Sequence, residues 1–467
     1  MNKQVMGRMG LWTRNKLNIA LLLQLVLMPA CFGQSESALN APAEVHEYTL
    51  RNGMKVLVQP DTRSPVVVSQ VWYKVGSSYE YSGITGLSHM LEHMMFKGTD
   101  DLKPGEFSEI IALNGGSENA ATSKDYTWYF QSIANDRLEL CLKLEAERMS
   151  DVIFDEKEFL KERDVVAEER RRRYEDDPQS LTYEQFMATA FVNSPYHHLP
   201  IGWMQDIQAY TVEDAKRWYK NWYAPNNATL VVVGDVEPDE VYRLAKKYFG
   251  PLKPSDIPRL KPRDEIPQLG LRRIKVQDAR ARVPYLLMGY KAPVLNTVKD
   301  PAEIYALEVL AGILDGGESA RLSRNIVRGR QLAVSAGISY NPYSRLDELF
   351  TFVATPVGTV SVEKLEEALM KEIETLKNQK VSEAELARVK AQVVAADVYQ
   401  RDSMYYQAMR LGVLETVGLG WRRLEEYIPG VQAVTAEQVQ AVARKYLIDR
   451  HLTVAELVPQ ATTDEGA

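Results

Sequence analysis

The chain has 467 residues, 45% of them hydrophobic, and a formal charge of −7. That length can bury several cores, so two or more domains are expected. An acidic chain without a basic, aromatic-interleaved patch excludes a nucleic-acid binder; its densest cationic run, Arg170 to Arg173, sits among Glu168, Glu169, Glu175, Asp176 and Asp177 and reads as a solvated helix face.

Positions 1–33 read as a signal peptide. Lys3, Arg8, Arg14 and Lys16 form a basic start, and Leu17 to Met28 is an apolar run broken by Asn18 and Gln24. The run is short for a membrane span, which takes about 20 apolar residues, so an exported, periplasmic protein is expected. Met28-Pro29-Ala30-Cys31 has the outline of a lipobox with an atypical proline, which makes lipidation of Cys31 the one expected route to a membrane. Cleavage deletes four positive charges and carries the formal charge from −7 to −11. Cys141 is then left without a disulfide partner, inside a helical apolar pattern where a buried thiol is expected.

Strands are expected at Lys55 to Val58 and Val66 to Lys74. Between them and the next long helices lies the pentad His89-Met90-Leu91-Glu92-His93, preceded by Gly83 and Gly86 and followed by Lys97-Gly98. At 3.6 residues per turn, residues four apart stack on one face, so His89 and His93 can address one metal about 2.0–2.1 Å away. Glu92 shares that face and fits the general base of metal-assisted hydrolysis. Histidines at this spacing can also simply pack a core, and Met90, Leu91, Met94, Met95 and Phe96 would supply the surface. The order of the pentad is the inverse of the more common zinc-protease motif.

A catalytic zinc needs a third protein ligand. The helical segment from Glu162 to Arg170 carries Glu162 and Glu169 seven apart on one face, but periodicity alone does not choose between Glu168 and Glu169. Five prolines between Pro251 and Pro267 mark an extended linker. It separates an N-terminal zinc-binding domain (45–250) from a C-terminal domain (270–460), which opens with strand-like Leu271 to Val276 and Pro284 to Tyr290. Thr211-Val212-Glu213 and Thr435-Ala436-Glu437 each begin a capped helix that leads, at matching spacing, into a β-branched strand, which points to an internal duplication.

With the inverted pentad, the acidic helix from Glu162 to Arg170 downstream of it, and Asn119-Ala120-Ala121-Thr122 following Asn114-Gly115-Gly116, the chain resembles the pitrilysin/insulinase family of inverzincin zinc metallopeptidases. Its length resembles the short members, such as the mitochondrial processing peptidase subunits. The resemblance implies an α+β fold of two homologous domains, each a mostly antiparallel sheet packed with helices and together forming half of a clamshell. It implies Zn2+ as cofactor, Glu169 as third ligand, Glu162 as its support, and Asn119 and Ala120 on the strand that binds peptide substrate. It also implies an arginine and a tyrosine in the second half that reach the substrate oxyanion, yet Val327 and Val334 stand at those positions. Arg328 is one residue displaced and Tyr340 six. The expected partner is therefore a homologous subunit that supplies the pair, making this chain the catalytic half of a heterodimer. His197 and His198 fall where similar chains carry a packing loop, and His46 and His451 are expected to be structural. A closed structural zinc would call for four cysteine-rich ligands, which the chain does not offer.

Overall fold

The computed structural model describes residues 44–460. The targeting segment and Cys31 lie outside them. Two mixed sheets organise the described chain. The first runs β1 (His46–Thr49), β2 (Lys55–Pro60), β3 (Val66–Tyr73), β4 (Ser117–Thr122), β5 (Thr127–Ala134) and β6 (Ala228–Gly234), in the spatial order β1-β2-β6-β3-β5-β4. The second runs β7 (Arg272–Asp278), β8 (Tyr285–Ala292), β9 (Ala333–Ser339), β10 (Glu348–Pro356) and β11 (Leu452–Pro459), in the order β7-β11-β8-β10-β9. Without β1 the two orders are the same. Each has one parallel pair, β2 with β6 and β7 with β11, and antiparallel pairing elsewhere. This repeat of topology is the structural counterpart of the two matching helix–strand units in the sequence.

Local chemistry accounts for the elements. β6 is buried along its whole length because it lies mid-sheet with both faces covered, and its Thr-Leu-Val-Val-Val run is continuous rather than alternating. β7 is an edge strand and alternates between half-buried and exposed positions. Thr211 and Thr435 both form full capping boxes, with Asp214 and Gln438 respectively, and start the helices Val212–Trp222 and Ala436–Tyr446.

The halves are interlocked by exchanged helices. Pro178–Ala190, from the first half, lays Phe186, Met187 and Ala190 in a core with Tyr285, Leu287, Ala455 and Leu457 of the second sheet. Met404–Thr416, from the second half, lays Ala408 and Leu411 against Leu57, Val68, Trp72, Val231 and Val233 of the first. Both contacts depend on a missing side chain. A Cβ on Gly412 would come within 2.1 Å of the Trp72 ring, and one on Gly289 within 2.5 Å of Phe186.

No helix or strand forms between residues 253 and 269, and polar side chains pin that connector down. Arg263 donates to the carbonyls of Ser78 and Glu80, while Glu265 accepts from three consecutive amides, Val192 to Ser194, and pairs with Lys291 at 2.6 Å. Cys141 is buried in the helix Leu138–Ser150. Among the described residues, no helix is long and apolar enough to cross a membrane.

One expectation needs correction. Arg170 to Arg173 is not a uniformly solvated face. Arg170 is buried and donates to both carboxylate oxygens of Glu184, at 2.7 and 2.9 Å, and to the carbonyl of Gly202. The helix carrying it, Glu156–Arg170, runs on into a π-helical turn, Arg171–Glu175, so the charged run on which the surface reading rested spans two kinds of helix.

Candidate metal centre

The pentad lies on the short helix Leu87–Met94. Its N-cap is Gly86 at φ 89°, a residue with no side chain to cap the helix. Glu80, fully buried just upstream, takes over that task by accepting from the amides of Gly86 at 2.6 Å and Ser88 at 2.7 Å. His198 hydrogen-bonds to the Ser77 carbonyl at 3.0 Å and lies 3.4 Å from Glu80, while His197 hydrogen-bonds to the Ser194 carbonyl. These two histidines fasten the loop around the helix start and stay out of the cluster below. His46 stands on edge strand β1, and His451 is held by the Tyr446 carbonyl.

Helix Glu156–Arg170 crosses beside the pentad helix and brings Glu169 to the two imidazoles. Its Oε2 lies 4.0 Å from His89 Nε2 and 3.5 Å from His93 Nε2. One ligand atom from each of the three residues fits within 4.8 Å of the others. Three donors around a tetrahedral zinc would stand about 3.3 Å apart, so the set is slightly open but fits a zinc ion. The structure also separates the two adjacent glutamates. Glu168 is exposed and pairs with Arg171 at 3.0 Å.

The surroundings tune each donor. Burial, helped by the neighbouring His93, pushes the pKa of His89 down to about 3, leaving its imidazole neutral and ready to coordinate. Burial also opposes charge on His93, but Glu162 at 2.8 Å from Nδ1 and Glu169 on the other side outweigh it and raise the pKa to about 9. For Glu169, burial is outweighed by His93, His89 and Arg173, and the carboxyl falls to about 2. Glu162 likewise stays below its ordinary range despite burial, held by His93 and by Lys97 at 2.5 Å. A carboxylate on the far nitrogen of a metal-binding histidine fixes its tautomer and orientation.

Glu92 is set apart from these donors. Burial raises its pKa, and Thr122 Oγ1 donates to its Oε2 at 2.5 Å. Thr122 ends β4, the strand that carries Asn119 and Ala120. β4 pairs with β5 alone, so its other edge has no strand on it among the described residues. Asn119 is exposed, its Oδ1 accepting from the Ala120 amide, and Ala120 is half-buried. A single hydrogen bond therefore joins the carboxylate of Glu92 to an open strand edge able to receive an extended peptide.

Residues 55–199 match the model of Insulinase (Peptidase family M16), and residues 209–393 match that of the Peptidase M16 inactive domain. The zinc protease PqqE of Helicobacter pylori is 39% identical over 348 residues, spanning 73% of this chain and 77% of that protein. The chain belongs to the insulinase family of peptidases. The uncharacterized zinc protease YmxG of Bacillus subtilis is 26% identical over 401 residues, covering 86% of this chain and 95% of that one. A crystal structure of a protease from Helicobacter pylori superposes with a TM-score of 0.84 at 34% identity, covering 89% of this chain and all of that one. Membership agrees with the asymmetry of the chain: among the described residues, the metal-competent cluster lies in the half that matches the insulinase model.

Two cations complete the site in roles that the sequence does not assign to them. Arg173 pairs with Glu169 at 2.6 Å, and Lys97 with Glu162. Both lie four residues beyond a site residue, Glu169 and His93, a spacing that places side chains side by side on a helix. Glu162→Gln removes the acceptor charge behind His93. Zn2+ affinity, measured by chelator competition, is expected to drop about 10–100-fold. Because metal uptake must displace the His93 proton, affinity in the unsubstituted chain should also climb as pH rises toward about 9. A change under threefold on substitution would remove Glu162 from the site.

Proposed function

We propose that this chain is a zinc-dependent endopeptidase that hydrolyses extended peptides or short unfolded proteins, with Glu92 as general base. The observation that carries the reading is the convergence of His89, His93 and Glu169 within 4.8 Å, with the carboxylate of Glu92 held beside them by Thr122. The relatives named zinc proteases support Zn2+ as the cofactor.

Zn2+ bound by His89, His93 and Glu169 would supply a Lewis acid that polarises the peptide carbonyl and makes water acidic near neutral pH. The remaining work belongs to the chain. The edge of β4 aligns the substrate backbone by hydrogen bonds that read an extended shape rather than a sequence. Glu92 takes a proton from the water that attacks the carbonyl carbon, then delivers it to the amide nitrogen as the C–N bond breaks. Its buried surroundings favour the protonated carboxyl between those two steps. Thr122 ties the base to the strand that presents the substrate, so both keep one geometry.

The same proposal makes the chain the catalytic subunit of a heterodimer, one half of a closed chamber that admits unfolded substrates. Its exported, periplasmic location rests on the basic and apolar pattern of residues 1–33, with acylation of Cys31 as the route to a lipid anchor. Hydrolysis of an internally quenched peptide after exhaustive chelation tests the metal requirement. Activity should vanish and return with one equivalent of Zn2+. Activity that survives verified zinc removal would rule the reading out.

A further inference from the structure

A cavity of about 400 Å³ opens among the helices Ala302–Asp315, Glu383–Gln400, Met404–Thr416 and Arg423–Ala433. None of these carries a residue of the metal centre, and its size is that of a small-molecule site. Asp397, in its wall, is held by Arg410 at 2.6 Å and by Arg401 at 2.7 Å, so its carboxylate is engaged. Glu308 also lines the cavity, and its Oε1 receives a long contact of 3.4 Å from the Tyr427 hydroxyl. Its Oε2 is buried and has no hydrogen-bond partner among the described residues.

A buried carboxylate oxygen without a donor has given up its hydration and received nothing in exchange, a loss that grows when the group is charged. Glu308 lines the cavity together with Tyr343 and Tyr427, and a carboxyl among aromatic residues is the composition a cation site uses. An anion is disfavoured, because Arg410 is already committed to Asp397 and an incoming carboxylate would meet Glu308.

We propose that this cavity binds an organic cation, a primary ammonium on an aliphatic stem, with Glu308 as its counter-ion. The ammonium can belong to a free amine or to a lysine side chain of a peptide. The site is independent of the zinc chemistry. Burial pushes Glu308 up to about 8, against the smaller opposing effects of Tyr427 and Arg410, so at pH 7 its carboxyl holds a proton. A bound ammonium displaces that proton to solvent. Tyr305, Tyr340, Tyr343, Tyr427 and Arg410 are close enough to interact electrostatically with Glu308, while Asp397 lines the same cavity and stays paired with Arg410.

Titration calorimetry of the full chain at pH 7 with n-pentylamine and with 1-pentanol, in two buffers of different ionisation enthalpy, tests this. The amine should bind at least tenfold more tightly than the alcohol and release close to one proton. Glu308→Gln should lose at least tenfold in amine affinity with an unchanged thermal melt; should that variant fail to fold, the amine–alcohol comparison decides alone. Equal binding of the two probes, no amine binding, or binding without proton release overturns the proposal, as does undiminished amine binding by folded E308Q. Repeating the titration with a peptide bearing one internal lysine, on E92Q to prevent cleavage, separates the sources. Competition between the peptide and pentylamine points to a peptide side chain in the cavity, and pentylamine affinity unchanged by the peptide to a free amine.

Discussion

Glu92→Gln should lower kcat for peptide hydrolysis about 10²–10⁴-fold, the range that a positioned general acid–base contributes, while zinc stays bound at one equivalent per chain. Gln matches Glu in shape and its amide oxygen can still accept from Thr122, so the local packing survives. What is lost is the ability to take a proton from water and return it to the leaving nitrogen. Glu92 stands outside the three-donor cluster, which separates its loss from metal loss. Side-by-side measurement of kcat and zinc content on one preparation checks both halves of the expectation. A variant that keeps activity within threefold would remove Glu92 from the chemistry, and one that loses zinc would make it a metal support instead.

The second large effect concerns the oxyanion. Co-purified from its native host with a homologous subunit, the chain should hydrolyse peptide about 10²–10³-fold faster than the same chain alone, the usual worth of an oxyanion donor. Val334 lies on β9, 66% exposed, and neither it nor Val327, the residues at the two positions where the family resemblance implies donors, has a side-chain hydrogen-bond donor to offer. The two nearest substitutes are engaged elsewhere. Arg328 donates to the Glu318 carbonyl, and the Tyr340 hydroxyl donates to the Pro293 carbonyl at 2.6 Å. Full activity from the isolated chain, with no second polypeptide in the preparation, would leave the heterodimer without support.

The metal-centre geometry was readable in the sequence to the degree that it is local. A helix fixes the stacking of His89 and His93, so four-residue spacing is nearly a distance measurement. The strands and the two Thr-capped helices were legible for the same reason, since capping boxes and β-branched runs act over a few residues. The choice between Glu168 and Glu169 was not local. It depends on how Glu156–Arg170 rotates against Leu87–Met94, a helix far earlier in the chain, and only the family resemblance pointed to Glu169 before the packing did. Arg170 misled because its run of charge reads as surface, whereas its partner, Glu184, lies on the next helix and enters from the side. The exchange of Pro178–Ala190 and Met404–Thr416 between the sheets left no signature either. An apolar helix face shows that something covers it, not which sheet. Gly412 and Gly289 were the available clues, but a glycine within a helix or strand can equally mark a bend or a bulge until Trp72 and Phe186 are seen against it.

All of the proposed chemistry depends on one ion at one place. X-ray diffraction from crystals of the zinc-loaded chain, recorded on both sides of the zinc absorption edge, locates it without reference to activity. A single anomalous peak is expected about 2.0–2.2 Å from His89 Nε2, His93 Nε2 and a carboxylate oxygen of Glu169. A crystal with full zinc content and no peak among those three residues, or with its zinc held by other side chains, would contradict the proposed centre.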